Sequence, residues 1–137
     1  MKTIQNVIKQ STQTHLSIKL NSEIIFIPTL RILYIRALGR NSVICFKNKS
    51  LRTHISLKEY PEFLFTTFFR CHNSIIVNCR HVKSVADSHV NLDDATKIKL
   101  SRKRKSELQR FIEQAPILLL FLAADRLGIR LTKHCRR

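Results

Sequence analysis

Lys97, Lys99, Arg102, Lys103, Arg104, Lys105 and Arg110 crowd into one short stretch with Glu107 as its only acid. Cations at that density neutralise phosphates and release condensed counterions, which gives affinity that falls steeply with salt but carries no sequence preference. Preference needs side chains that offer a fixed donor and acceptor pattern to base edges: asparagine matches adenine, and arginine or lysine matches guanine. Three turn positions have those residue types. Arg40 and Asn41 follow an apolar strand, Asn73 sits in a polar bend, and Arg102 and Lys103 open the basic segment. Asn73 has two readings, reading a base or only capping its bend, and Arg40 is either a reader or a solvated turn residue.

The whole chain shares the charge. Its 137 residues hold 25 basic and 9 acidic side chains, a net +16, which calls for an anionic partner, nucleic acid or an anionic membrane surface. The length suits one domain with one core. Plentiful aliphatic residues and only two glycines exclude a disordered basic tail. Cys45, Cys71, Cys79 and Cys135 show no C-x-x-C spacing and no apolar signal sequence precedes the domain, so a cytoplasmic protein with free thiols is expected. Cys71, His72, Cys79 and His81 follow no standard zinc spacing, and neither metal nor cofactor is expected. With no carboxylate pair, Gly-rich phosphate loop or nucleophile elbow, no catalytic residue is assigned and an enzyme is the least favoured class.

The elements that must position these residues are short strands. Residues 1–15 read as a polar leader. Residues 16–20 alternate strictly, Asn21-Ser22 turns, and 23–27 return, so a hairpin opens the domain and Pro28 ends it. Residues 30–38 have the apolar pattern of a central strand, 39–42 turn, and 43–47 with 51–55 make the next hairpin around 48–50. Residues 57–64 are the short helical candidate, capped by Ser56 with Pro61 in its early turns. Further strands fall at 82–86, 89–92 and 96–100, the last with Ile98 and Leu100 inward and Lys97 and Lys99 outward. Ser101 then caps a helix with Arg104, Leu108, Phe111 and Ile112 on one side. Pro116 breaks or starts another helix, the apolar 117–124 is too short to span a bilayer, and 125–137 is basic again. That stretch reads as a helix packing on its own domain or a second copy, or as an interfacial membrane helix.

The chain is organised around 68–82, FFRCHNSIIVNCRHV. In an extended segment Phe69 and Cys71 share one face, and Phe68, Arg70 and His72 the other. Asn73 and Ser74 favour a tight bend. Ile75, Ile76 and Val77 then need burial on both faces, and Asn78 closes the run.

Arg70-Cys71-His72-Asn73-Ser74-Ile75-Ile76-Val77-Asn78 resembles the central motif of the LytTR family, the DNA-binding domains of bacterial response regulators. There a strand ending in Arg-x-His-Arg/Asn-Ser leads into an apolar pair and Val-Asn. Residues 32–37 look like that family's early strand, 57–60 like the start of its short helix, and Ile98-Lys99-Leu100-Ser101-Arg102 resembles its closing Ile-Pro-Leu-Ser-Arg. Ile75 stands where the family usually has an aromatic, and Lys99 where it often has proline. The resemblance covers about 16–112 and leaves 113–137 as an apolar and basic helical tail.

The resemblance implies a mostly β fold of about ten short antiparallel strands in small stacked sheets with one short helix, followed by C-terminal helices. It implies a sequence-specific transcriptional regulator whose loops enter neighbouring major grooves of double-stranded DNA. Arg40, Asn41, Asn73 and Lys103 would contact bases. Arg70, His72, Ser74, Lys97, Lys99, Arg102, Arg104 and Lys105 would contact phosphates or fix the loops. His72 has both readings, a phosphate contact or a hydrogen bond that holds the Asn73 loop. Repeated half-sites, a homodimer on DNA and a separate sensor or receiver protein are implied partners, since only about 15 residues precede the first strand; no integral membrane segment is expected. Two alternatives stand beside this one: an RNA-binding protein, disfavoured by the lack of Trp and only two Tyr, and a protein or membrane-surface module using 117–124.

Overall fold

Alternation makes strands wherever one face can be buried. β1 (His15–Leu20) and β2 (Glu23–Pro28) form the opening hairpin, in a computed structural model that describes residues 14–114. Asn21 takes a φ of 57° at its turn, a backbone region that asparagine tolerates better than most residues. The central sheet is antiparallel throughout, in the order β5-β4-β3-β7-β6, from β3 (Tyr34–Leu38), β4 (Asn41–Cys45), β5 (Ser50–Thr53), β6 (Phe68–His72) and β7 (Ile75–Asn78). β8 (Val82–Val85), β9 (His89–Leu92) and β10 (Lys97–Lys99) make a third sheet, and α1 (Arg102–Glu113) closes the described chain. The expected mostly β fold is thus present, with ten strands in three small antiparallel sheets among the described residues. The leader's first residues, Cys135 and the tail from residue 115 onward lie outside them.

The central sheet buries both faces, so one domain holds two cores. On one face Ile35, Ile44 and Ile76 pack with Leu16, Ile18 and Ile27 of the hairpin and with Leu57, Tyr60 and Leu64. On the other, Val77 and Cys71 pack with Val90, Leu92 and Ile98 of the third sheet and Leu108 of α1. Phe68 belongs to the first core while Phe69 packs against the second, tilted on Phe111 with ring centroids 5.4 Å apart. Consecutive residues serve different cores because successive strand side chains point to opposite sides.

Four expectations change. The strand expected from 30 begins only at Tyr34, because Thr29–Arg31 forms a 3-10 turn closed by Ile32 N–H donating to Thr29 O, and Asn78 Nδ2 fastens it by donating to Thr29 O at 3.1 Å and to Ile32 O, just after the turn, at 2.8 Å. The helix expected at 57–64 is two 3-10 turns, Leu57–Glu59 and Glu62–Thr66, since Tyr60 is extended at ψ 142°, as a residue before proline prefers. Ser56 does cap the first of them, in a reciprocal box with Glu59. Asn41 is the first residue of β4, opposite Leu38, because Gly39 at φ 62° lets the turn close with Gly39 and Arg40 alone. Finally, Arg70 and His72 do not share a face. A bulge at Cys71 places Arg70 opposite Ile76 and His72 opposite Ile75, neighbours that belong to different sides of the sheet.

Candidate nucleic-acid interface

β3 runs antiparallel to β7 with Arg36 opposite Ile75, so the turn leaving β3 and the bend entering β7 emerge at one end of the central sheet. Backbone hydrogen bonding joins them: Ala37 N–H donates to Ser74 O at 2.7 Å. The bend itself is held from both sides. Arg70 Nη2 donates to the Asn73 carbonyl, and the backbone N–H of Ser74 donates to His72 Nδ1 at 3.3 Å. Ser74 Oγ lies 3.0 Å from the same nitrogen. Nδ1 accepts the amide proton, so in the neutral ring the proton sits on Nε2. Arg70 Nε is buried without a hydrogen-bond partner, so this guanidinium is held by its other nitrogens and its packing.

α1 comes to the same place through Arg104, whose Nη1 donates to the Arg70 carbonyl. Ser101 caps the helix, its side chain accepting from Arg104 N–H at 3.2 Å. Lys105 Nζ pairs with Asp87 at 2.7 Å in the β8–β9 turn, and Leu100 N–H donates to Ser88 O at 2.9 Å. The lysine's hydrogen bond and charge hold the exposed Asp87 carboxyl below its usual range. Three segments far apart in sequence are therefore linked by a continuous set of hydrogen bonds.

The residues proposed from sequence divide by what they face. Arg40, Asn73, Arg102 and Lys103 are exposed, and Asn41 is half-buried. Asn73 contributes its backbone carbonyl to the cluster. Arg70, His72 and Ser74 are half-buried and build the bend, while Arg104 and Lys105, also half-buried, anchor the helix. Lys97 and Lys99 are exposed on β10. Lys99, opposite His89, lies toward the helix start, and Lys97, opposite Asn91, lies away from it.

Two cations went unremarked as site residues. Arg36 and Arg52 are exposed and flank Val43 from the two neighbouring strands, so they form a row on the sheet beside the Gly39-Arg40 turn. Alternation within β3 and β5 points to each separately; only the ladder register puts them side by side.

Cys71 and Cys79 belong to the second core, where burial pushes their thiols up to about 11 and about 12. His81 is bound to Asp93 through Nδ1 at 2.9 Å and to the Leu30 carbonyl through Nε2. Among the described residues no group of three or more His, Cys, Asp or Glu side chains is arranged to hold a metal ion. No helix among them is long and apolar enough to cross a membrane.

The geometry agrees with the comparisons. Residues 22–113 match the LytTr DNA-binding domain family, and the chain belongs to it. Its function is therefore of the DNA-binding regulator class. A solved structure described as the LytTr DNA-binding domain of a putative methyl-accepting/DNA response regulator from Bacillus cereus has a similar fold. The TM-score is 0.59 at 20% identity, over 73% of this chain and 97% of that one. No curated protein sequence matches the chain.

Proposed function

We propose that this protein is a sequence-specific regulator of transcription that reads double-stranded DNA through the clustered turns. Asn73, Arg40, Asn41 and Lys103 present donors and acceptors to base edges. Arg102, Lys97 and Lys99 contact phosphates. Arg70, His72, Ser74, Arg104 and Lys105 act mainly through the fold, by fixing the bend and the helix start. The unremarked Arg36 and Arg52 join the phosphate-binding surface.

The observation that carries this reading is the division of labour at Asn73. Its own carbonyl is gripped by Arg70 and the next residue's carbonyl by Ala37 N–H, while its side chain is left exposed. A donor and acceptor pair on a pre-positioned backbone discriminates bases better than one on a mobile loop, because less ordering entropy is lost on binding. DNA is contacted as a dimer on repeated half-sites about one helical turn apart, with 16–112 as the binding unit, in the cytoplasm of a bacterium and under the control of a separate sensor or receiver protein.

Selection from a random duplex pool by the purified chain, at two salt concentrations, tests the reading. A repeated motif should emerge, and Asn73→Ala should flatten preference at particular positions with little change in the salt slope. Recovery of no motif, with affinity set by salt alone, would reduce the surface to general anion binding.

A further inference from the structure

The large apolar side chains exposed among the described residues are gathered in one region: Ile24 is 60% exposed, Phe26 65% and Leu30 44%. Ile24 and Phe26 alternate with Ile25 and Ile27, which face the first core, so the outer face of β2 is apolar as well as the inner one. Nothing in the hairpin requires this. A two-stranded sheet with one face buried is satisfied by polar outward residues, as Ser17 and Lys19 are on β1 opposite Phe26 and Ile24.

Beside this patch lies a groove. β2 and β5 are edge strands of their sheets, each hydrogen-bonded on one side only. A cleft of about 310 Å³ runs between them, walled by Ile25, Phe26, Ile27, Ser50 and Leu51. It shares Arg31, Phe46 and Lys49 with a neighbouring cleft of about 680 Å³ that reaches Leu30, Leu33, Asp93 and Asp94; the smaller cleft's own lining carries Arg31 and Lys49 and no acid. Lys49 sits over the Phe46 ring, its Nζ 5.9 Å from the centroid, so an apolar floor and a basic rim are held together. The groove is at the far end of the central sheet from the DNA-reading turns. β4 starts beside the Gly39-Arg40 turn and ends at Cys45, immediately before Phe46, a span of about 15 Å.

We infer that this groove receives an extended, acidic and apolar segment of a different protein, which adds its backbone to the free edge of β2 or β5 while apolar side chains cover Phe26 and Phe46 and carboxylates meet Arg31 and Lys49. Charge complementarity selects that occupant. A second copy of this chain brings a net charge of +16. Residues 1–13 contain Lys2 and Lys9 and no acid, and 115–137 contain Asp125 against Arg126, Arg130, Lys133, Arg136 and Arg137. The chain's own outlying segments therefore lack the carboxylates that the rim calls for. Nucleic acid would supply anions but would leave Ile24, Phe26 and Leu30 uncovered, and an exposed patch of this kind marks protein contact. Strand addition takes affinity from main-chain hydrogen bonds and specificity from alternate side chains, and this groove offers both. The protein would then hold DNA at one end of its central sheet and a partner protein at the other.

The test uses the full chain and a fluorescent peptide of about twelve residues that alternates glutamate with leucine and phenylalanine, with its lysine counterpart as control. Fluorescence anisotropy should show saturable binding of the glutamate peptide and none of the lysine peptide. Phe26→Ser and Lys49→Glu should each weaken binding by about tenfold, the effect of losing one anchor. Phe26 is exposed, so Phe26→Ser should keep the parent melting temperature and DNA affinity, and Ile24→Ser provides a second variant of the same kind. Asn73→Ala should bind the peptide normally, which separates failure here from failure of the DNA reading. Absence of saturable binding, equal binding of the lysine peptide, or indifference to Phe26→Ser would each overturn the inference. Displacement of the peptide by phosphatidylglycerol vesicles would reassign the patch to a lipid surface, and displacement by a DNA duplex would reassign it to nucleic acid.

Discussion

Asn73 and Asn78 stand at opposite ends of β7, and the same side chain meets opposite fates. Asn78 is fully buried and saturated: its amide donates to the carbonyls of Thr29 and Ile32, and its oxygen accepts from Arg80 N–H at 3.0 Å. It fastens the chain leaving the opening hairpin to the end of the central sheet. Asn73 is exposed, and its main chain carries the structural contact. A polar side chain that has spent its donors and acceptors inside the fold has none left for a ligand. One that is held by its backbone alone keeps them all.

Several measurements would break or sharpen that contrast. The largest effect is expected at Asn78. Asn78→Ala removes three hydrogen bonds at a buried site, leaving Thr29 O only its bond from Ile32 N–H, and should cost about 3 kcal/mol of unfolding free energy by urea titration. A loss under about 1 kcal/mol would mean that water replaces the amide and that Asn78 is not the fastening described. Asn73→Ala should leave stability within about 0.5 kcal/mol of the parent, as exposed substitutions usually do, while removing about 1–3 kcal/mol of discrimination at the bases it reads. A marked drop in melting temperature would place Asn73 with Asn78, as a cap on its bend.

Arg104→Met tests whether the bend is held from the helix. It removes the hydrogen bond to the Arg70 carbonyl while keeping much of the side chain's bulk. About 1 kcal/mol of stability should go, together with part of the sequence preference. If preference survives intact, the bend is positioned without the helix. The smallest effect is expected from Asp87, whose pKa is lowered by its hydrogen bond to Lys105. A depressed folded pKa means that the contribution is complete above the unfolded aspartate value near 3.9 and is lost as pH falls through the lower folded value. Lys105→Met should therefore lower stability slightly near neutrality, with the difference from the parent vanishing as pH falls through the folded value, so that the acid limb is flatter. A difference from the parent that persisted undiminished in acid, where Asp87 is protonated, would assign Lys105 a different role.

Much of this fold was legible because short strands announce themselves by alternation. Leu16, Ile18 and Ile98 face inward as the period of two requires. The order of elements followed the LytTR resemblance, and the family match confirms it. What alternation does not reveal is an interruption. The extra residue at Cys71 leaves no mark in FFRCHNS, yet it separates Arg70 from His72. Similarly, 57–64 has helical spacing at Leu57, Tyr60 and Leu64, and the pre-proline geometry of Tyr60 overrode it. Arg36 and Arg52 were readable as outward cations, but their adjacency depends on the register of β3 and β5 with β4.

The sequence by itself determined the strong positive charge, the short-strand architecture and the polar bend at Asn73-Ser74, because each is a local property of composition or period. The tertiary structure alone decided which turns come together, which cations remain exposed, and which asparagine is left with its side chain exposed. Those outcomes depend on ladder register and on hydrogen bonds across tens of residues, such as Arg104 to Arg70 and Asn78 to Thr29, and no local pattern encodes them.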